Sequence, residues 1–449
     1  MTATTALALT VERGGAVPLG VQVADQVRAQ IVRGRLEPGS RLPSSRALAE
    51  DLGVARAVTE QAYGQLVAEG WLEGRHGSGT FVCATTPLGR VVVPTPRRQP
   101  RASELVRLDA GTPWIDPRHA AGWRRAWRDV AVGRPPKGYD DPAGLPELRE
   151  ELAARLGRVR GLDCRPEDVL VTAGTVDGLR HVLDALPPGP VAIEDPGYRA
   201  AVAAARGSGR MVVDVPALEV PDLEGLAASY VTPAHQHPLG PAMAATSRAE
   251  LLDRARRHGA VVIEDDYDSE FRYDVAPVPA LAALDRDRVA YLGTASKTVA
   301  PSMRLGWLVP PPALVEEIGR RRAVTHDTAA WPVQRAFLSL LREGYVDKVV
   351  RSARRVYAER AARVEAAFAP FAASAGPVAG MYATVELPAA AARRAHSAAL
   401  RAGFDVPLLA DYCRTARRTG LVVGFGGCTD EQLDAALGAM TRALGSSSG

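Results

Sequence analysis

The sequence predicts a multidomain protein. An N-terminal α+β helix-turn-helix module with a wing precedes a larger C-terminal α/β domain. Three observations carry this reading. Apolar residues recur at helical spacing as far as Leu66 and then give way to a glycine-rich hairpin. A stretch rich in proline and arginine follows. From residue 108 onward, short apolar runs alternate with helical segments, which is the pattern of a strand–helix sandwich. A length of 449 residues exceeds one ordinary domain, and a hydrophobic fraction of 47% is enough for a large core.

In the first segment, Val21, Val23, Val27 and Ile31 suit an amphipathic helix that ends at Gly34. Pro38-Gly39-Ser40 makes a turn. After Pro43, Ser44 is placed to cap a second helix through Leu52, and Gly53 breaks it. A third helix runs from Arg56 to Leu66. Two short helices joined by a glycine-containing turn make a helix-turn-helix, whose later helix enters the DNA major groove. Gly70-Trp71-Leu72-Glu73 then leads to Arg75-His76-Gly77-Ser78-Gly79-Thr80-Phe81-Val82, a hairpin that serves as a wing. We take residues 1–82 as this module.

Residues 83–107 are read as a linker. Pro87, Pro94, Pro96 and Pro100 remove backbone donors and disfavour helix. Residues 1–82 hold eight Arg against eight Asp/Glu, whereas this stretch holds five Arg against Glu104 alone. The whole net charge of +4 therefore lies in it. Its arginines suit either a solvated linker or a phosphate backbone alongside.

Composition excludes several classes. No apolar run approaches the ~18 residues that span a bilayer. Met1–Thr10 has no basic leader and Glu12 follows soon after, so secretion is not expected. Cys83, Cys164, Cys413 and Cys428 form neither a disulfide framework nor a metal-ligand pattern, and a reducing cytoplasm is the expected compartment.

Residues 108–449 carry the chemistry. Candidate strands are Val169–Thr172, Val191–Glu194, Met211–Asp214, Ser229–Thr232, Ala260–Glu264 and Val289–Leu292. Ligands in open α/β sheets bind at strand ends, and the polar residues gather there. Lys297 follows one strand and Asp265 ends another, with Tyr267 two residues later and Arg304 seven after the lysine. This set fits pyridoxal 5′-phosphate (PLP). The amine makes the Schiff base, the carboxylate keeps the pyridine nitrogen protonated, the phenol meets the ring oxygen, and the arginine neutralises the phosphate. The chain has only three lysines, Lys137, Lys297 and Lys348, and otherwise uses arginine for positive charge. Keeping a lysine here implies that the amine itself is needed, since a guanidinium does not deprotonate. Gly174 and Thr175 open a helix after a strand, where free amides cradle a phosphate. Tyr198 sits where its ring could lie against the cofactor or simply pack. His235-Gln236-His237 has a metal-like spacing without a third ligand nearby, so no metal is expected.

Gly34–Ala49 and Gly77–Val82 resemble the winged helix-turn-helix of the GntR family. That resemblance places Arg41, Ser44, Ser45, Arg46, Arg56 and Thr59 at phosphates or base edges, and the wing residues Arg75, His76 and Gly77 at the minor groove. Ala55 and Ala57 depart from the serine and asparagine often found there. Ile263–Tyr273 and Gly293–Gly306 resemble the fold type I PLP-dependent aminotransferases. The joined chain is similar to the MocR-type regulators over nearly its whole length. The resemblance implies that Lys297, Asp265 and Tyr267 bind PLP. Thr294, Ser296, Arg304, Gly174 and Thr175 would hold the phosphate, with Tyr198 stacked on the ring. It further implies a homodimer with exchanged DNA-binding domains, in which Tyr139 reaches the partner's phosphate.

An aminotransferase also needs an arginine for the substrate carboxylate. The place that resemblance assigns to it is Val422, which is apolar, with Arg199, Arg414 or Arg418 as substitutes. Losing such a contact costs ~1.5–3 kcal/mol of binding. The expected function is therefore a PLP-binding regulator of promoter DNA, answering to PLP or to an amine. An active aminotransferase and a cofactor-free dimerisation platform are the alternatives.

Overall fold

The computed structural model describes residues 7–75, 78–83, 105–273, 278–372, 374, 376 and 378–445. His76, Gly77 and most of the expected linker, residues 84–104, lie outside these. The chain divides into two compact units, Met1–Arg101 and Ala102–Gly449.

In the first unit, helices α1 (Leu19–Val32), α2 (Ser45–Leu52) and α3 (Arg56–Ala68) surround a core that includes Val23, Val27, Ile31, Leu48, Ala62 and Leu66. Ser44 caps α2 by accepting from Ala47 N at 3.1 Å, and Gly53 ends it in the left-handed region (φ 61°). Strands β1 (Leu72–Arg75) and β2 (Gly79–Val82) pair antiparallel as the wing. Leu42 N donates to Thr80 O, and Gly39 N to Val82 O, so residues 39–42 tie the turn before α2 to the wing.

The second unit begins earlier than residue 108. Strand β3 (Val106–Arg107) pairs parallel with Phe404–Asp405, so these two residues belong to the larger domain and not to a linker. The main sheet uses β4 (Leu170–Thr172), β5 (Val191–Asp195), β6 (Val212–Pro216), β7 (Ala228–Val231), β8 (Val261–Asp266), β9 (Val289–Thr294) and β10 (Gly306–Val309). Their order is β4-β10-β9-β8-β7-β5-β6. All pairs are parallel except those of β10, which runs against both of its neighbours. Alternate residues enter two separate cores. Val171, Val262, Tyr291 and Trp307 pack on one face, and Leu170, Ile263, Leu292 and Leu308 on the other. With both faces covered, the strands other than the half-exposed edge strand β6 read as largely apolar runs. A smaller subdomain adds β11 (Tyr382–Glu386), β12 (Phe404–Asp405, the partner of β3) and β13 (Gly420–Gly424), with β11 and β13 antiparallel.

Two features fix the strand ends that matter below. Arg160 Nε lies 2.6 Å from Asp266 Oδ2, both side chains are buried, and Tyr291 donates to the same oxygen at 2.6 Å. At Gly424 a Cβ would stand 2.0 Å from Asp109 O, so only glycine lets β13 approach the segment that floors the site. Gly424→Ala is expected to destabilise the protein by ~1–3 kcal/mol through overpacking. A urea midpoint equal to wild type would refute the constraint.

Candidate cofactor and DNA-binding sites

A cavity of about 540 Å³ opens at the strand ends, lined among others by Thr175, Tyr198, Tyr230, His237, Asp265, Tyr267, Thr294, Ser296, Lys297 and Arg304. The parallel register sets Asp265 beside Leu292 on β9, two residues before that strand finishes at Thr294. Of the ten residues the sequence assigned to the cofactor, eight line this cavity. Gly174 supports it from behind, where an added Cβ would meet the Arg304 guanidinium at 3.2 Å. Tyr139 is elsewhere: it is 82% exposed and stacks on His326 at 3.9 Å between ring centres.

The phosphate-type corner combines three chain segments. Gly174 (φ 112°) caps the helix Thr175–Ala185, whose first amides are free to donate. Asp177 accepts from Ala173 N at 2.9 Å and steadies that turn. Thr294 Oγ1 accepts from Ser296 N at 3.1 Å. Arg304 arrives in the left-handed region (φ 48°), unusual for a non-glycine residue, two positions before β10 begins at Gly306.

The charged centre is set by burial. Lys297 donates to Gly111 O at 2.5 Å, and desolvation lowers its pKa against the opposing pull of Asp109, Asp268 and Asp265. A depressed amine is neutral more often and is a better nucleophile. Burial pushes Asp265 up to about 7, a rise opposed by the hydrogen bond from Tyr230 and aided by Asp266. Asp265 Oδ1 is buried and has no hydrogen-bond partner among the described residues. An unmet carboxylate oxygen suits a cationic ring N–H.

Ionising Asp265 therefore costs more in the folded chain than in the unfolded one. The stability this represents is full below the unfolded value near 4 and is lost as pH rises towards 7. Ligand-free wild type is expected to lose on the order of 3 kcal/mol more than Asp265→Asn between pH 4.5 and 7.5. Equal slopes in urea titrations of the two proteins would disprove the assignment.

Sequence reasoning missed Tyr230 and the part played by His237. Tyr230 is a buried strand residue that looks like core until β7 is set beside β8. Burial, with Lys297 nearby, drops His237 to about 3, so its imidazole stays neutral. Its ring meets Tyr198 and Tyr412 edge-on at 5.8 and 5.2 Å. Tyr267 lines the cavity, but its hydroxyl is also engaged by Tyr382 at 2.7 Å and His235 O at 3.0 Å. His235 Nδ1 in turn lies 2.7 Å from Asp268 Oδ2.

In the first unit, Arg41, Ser44, Arg46, Arg56 and Arg75 are exposed and Ser45 is half-buried. Arg46 and Arg56 carry only exposed i,i+4 partners, Glu50 at 3.3 Å and Glu60 at 2.7 Å, which leaves them free to exchange these for phosphates. Thr59 differs from expectation. It is 0% exposed, and its hydroxyl donates to Ser45 O (2.7 Å) and Arg56 O (2.9 Å), so it locks α2 to α3 and does not face DNA.

The fold and the cavity together define an aminotransferase-type domain carried behind a helix-turn-helix unit. Residues 19–82 match the bacterial regulatory proteins of the gntR family, and residues 103–440 match aminotransferase class I and II. The chain is 36% identical to a probable rhizopine catabolism regulatory protein, MocR, of Rhizobium meliloti, covering 78% of this chain and 77% of that protein. It is 35% identical to the pyridoxine biosynthesis transcriptional regulator PdxR of Corynebacterium glutamicum, covering 77% of each. An archaeal alanine:glyoxylate aminotransferase shares the fold with a TM-score of 0.69 at 24% identity, over 77% of this chain and 92% of that one. The chain belongs to the MocR-type transcriptional regulators, in which a GntR helix-turn-helix domain precedes an aminotransferase-like domain. A domain of that class implies PLP binding. Among the described residues no helix is long and apolar enough to cross a membrane.

Proposed function

We propose that this regulator binds PLP in the cavity at Lys297 and that PLP itself is the effector that changes its affinity for promoter DNA. One contrast carries the reading. The cofactor residues converge on one cavity, while Val422, where a carboxylate-gripping arginine is expected, is 0% exposed within β13. Of the three substitutes, Arg414 is held by Asp214, Ile193 O and Glu194 O, and Arg418 by Glu386. Only Arg199 lines the cavity.

PLP would supply an aldehyde that condenses with an amine and a ring that withdraws electrons from the joined carbon. Lys297 provides the amine. Asp265 holds the proton of the pyridine nitrogen, with Tyr230 fixing the carboxylate's other oxygen. Gly174, Thr175, Thr294, Ser296 and Arg304 take the phosphate, and Tyr198 covers the ring. Tyr139, exposed on its own chain, completes the site of a second subunit in a homodimer with exchanged DNA-binding domains. The protein works in the cytoplasm. The name of the PdxR relative supports a link to pyridoxine synthesis.

Arg41, Ser44, Arg46, Arg56 and the wing at Arg75 contact DNA. Arg46→Ala and Arg56→Ala are each expected to weaken binding across sequences and to flatten its salt dependence by about one in slope, as the loss of one phosphate contact would. An unchanged slope would remove that residue from the interface.

The deciding experiment is a PLP titration that follows DNA affinity and absorbance together. The expected result is a DNA affinity that changes in step with PLP saturation, because an effector must bind one DNA-affinity state better than the other. Saturation without any change in DNA affinity would rule out PLP as effector. Arg199 favours a second reading, an active aminotransferase, which predicts turnover of PLP-bound protein with amino acids and its loss in Arg199→Ala.

A further inference from the structure

Ahead of the GntR-matched region, the chain runs extended beside α1. From Leu7 to Glu12 exposure alternates: Leu7, Leu9 and Val11 pack on the helical core, while Ala8, Thr10 and Glu12 are exposed. The backbone of these exposed residues is met by glutamines four apart on α1. Gln26 accepts from Thr10 N at 3.0 Å and donates to Thr10 O at 2.6 Å. Gln22 does the same for Glu12, at 2.8 and 3.1 Å, and Gln30 donates to Ala8 O at 3.0 Å. The carboxamides of Gln22 and Gln26 thus play the part of a neighbouring strand's peptide groups. The spacings agree, since four helical residues rise ~6 Å and two extended residues ~6.7 Å. Just beyond this ladder, Arg13 Nη2 donates to Gly53 O, the residue that ends α2 and opens the turn into α3.

We propose that residues 7–13 form an arm that sets the orientation of the α2–α3 turn relative to α1. Gln22, Gln26 and Arg13 are then positioning residues for sequence reading by α3. A glycine at the end of a helix is conformationally permissive, and its carbonyl has no partner within the helix. Arg13 supplies that partner from a segment anchored to a different helix. None of the three residues has to touch DNA. Base-edge hydrogen bonds demand a fixed helix orientation, whereas phosphate contacts are sequence-independent and survive a small rotation.

The test uses the full-length protein, a duplex selected by it from a random-sequence pool, and a scrambled duplex of the same composition. The double variant Gln22→Ala/Gln26→Ala removes two rungs of the ladder, alters no charge and leaves α1 with a stronger helix former. It is expected to bind the selected duplex about tenfold more weakly and the scrambled one unchanged. Arg13→Ala should repeat this pattern, with Arg13→Lys recovering part of the loss. Full affinity of the double variant for the selected duplex would overturn the proposal. Equal loss on both duplexes would also overturn it, because the arm would then only hold the fold together. A uniform loss confined to Arg13→Ala, with the salt slope reduced by about one, would make Arg13 a phosphate contact instead.

Discussion

Replacing Lys297 by alanine is expected to abolish the absorbance band near ~420 nm that marks lysine-bound PLP. It should also weaken PLP binding on the order of 10²-fold, or ~2.7 kcal/mol. The remaining affinity would come from contacts the variant keeps, namely Asp265 at the ring nitrogen and the corner formed by Gly174, Thr294 and Arg304. The PLP concentration that alters DNA binding should rise by the same factor, since a ligand acts through its affinity difference between states. Lys297→Arg is expected to fail as completely as alanine. It retains the positive charge among Asp109, Asp265 and Asp268 but offers no amine that can lose a proton. A band that survives in either variant would place the reactive amine elsewhere and would overturn the assignment of the cavity.

The largest effect on stability is expected at Arg160. Its ion pair with Asp266 is buried on both sides, and Tyr291 donates to the same carboxylate oxygen. Arg160→Ala would leave Asp266 charged and unmatched next to Asp265, a kind of loss that costs ~3–5 kcal/mol. The cost is mainly that of the stranded charge. Arg160→Met combined with Asp266→Leu is therefore expected to recover most of it, because an apolar pair of similar volume is often close to neutral. Urea denaturation of the three variants reads this directly. A double variant no more stable than Arg160→Ala would show that the guanidinium's other bond, to Val278 O, matters more than the pair.

How much of this was legible in the sequence depends on what fixes each feature. The six strands of the candidate list are all present, and the five other than the half-exposed edge strand β6 are buried along their whole length, which favours apolar residues throughout. β10 was not seen. Gly306–Val309 is four residues long and comes just after the turn at Pro301–Met303, so no period distinguishes it. Val106–Arg107 read as linker because the residues before them are proline-rich, and only the distant Phe404–Asp405 makes them a strand. At the site, Lys297 stood out because the chain has only three lysines, and Asp265 because it ends an apolar strand; both line the cavity together with Arg304. Tyr230 and His237 were not, because their roles depend on which strand lies alongside and how deeply the ring is buried. Thr59 failed for the opposite reason. The family resemblance placed it at the DNA-facing start of α3, but the packing of α2 claims its hydroxyl.

The direction of β10 has a consequence for how the chain assembles. Its two antiparallel neighbours, β4 and β9, reach the binding edge with their final residues, whereas β10 reaches the same edge with its first, and so carries Arg304 to a corner already holding Gly174 and Thr294. Those three positions span most of the sheet's sequence, and β10, the last of its strands in the chain, lies between the earliest, β4, and β9. The anion corner therefore exists only once β4, β9 and β10 have met, a late event because such distant pairings are slow to close. A partly folded chain has no such corner, and a phosphorylated ligand that bound there would act as a latch that only the completed sheet can close.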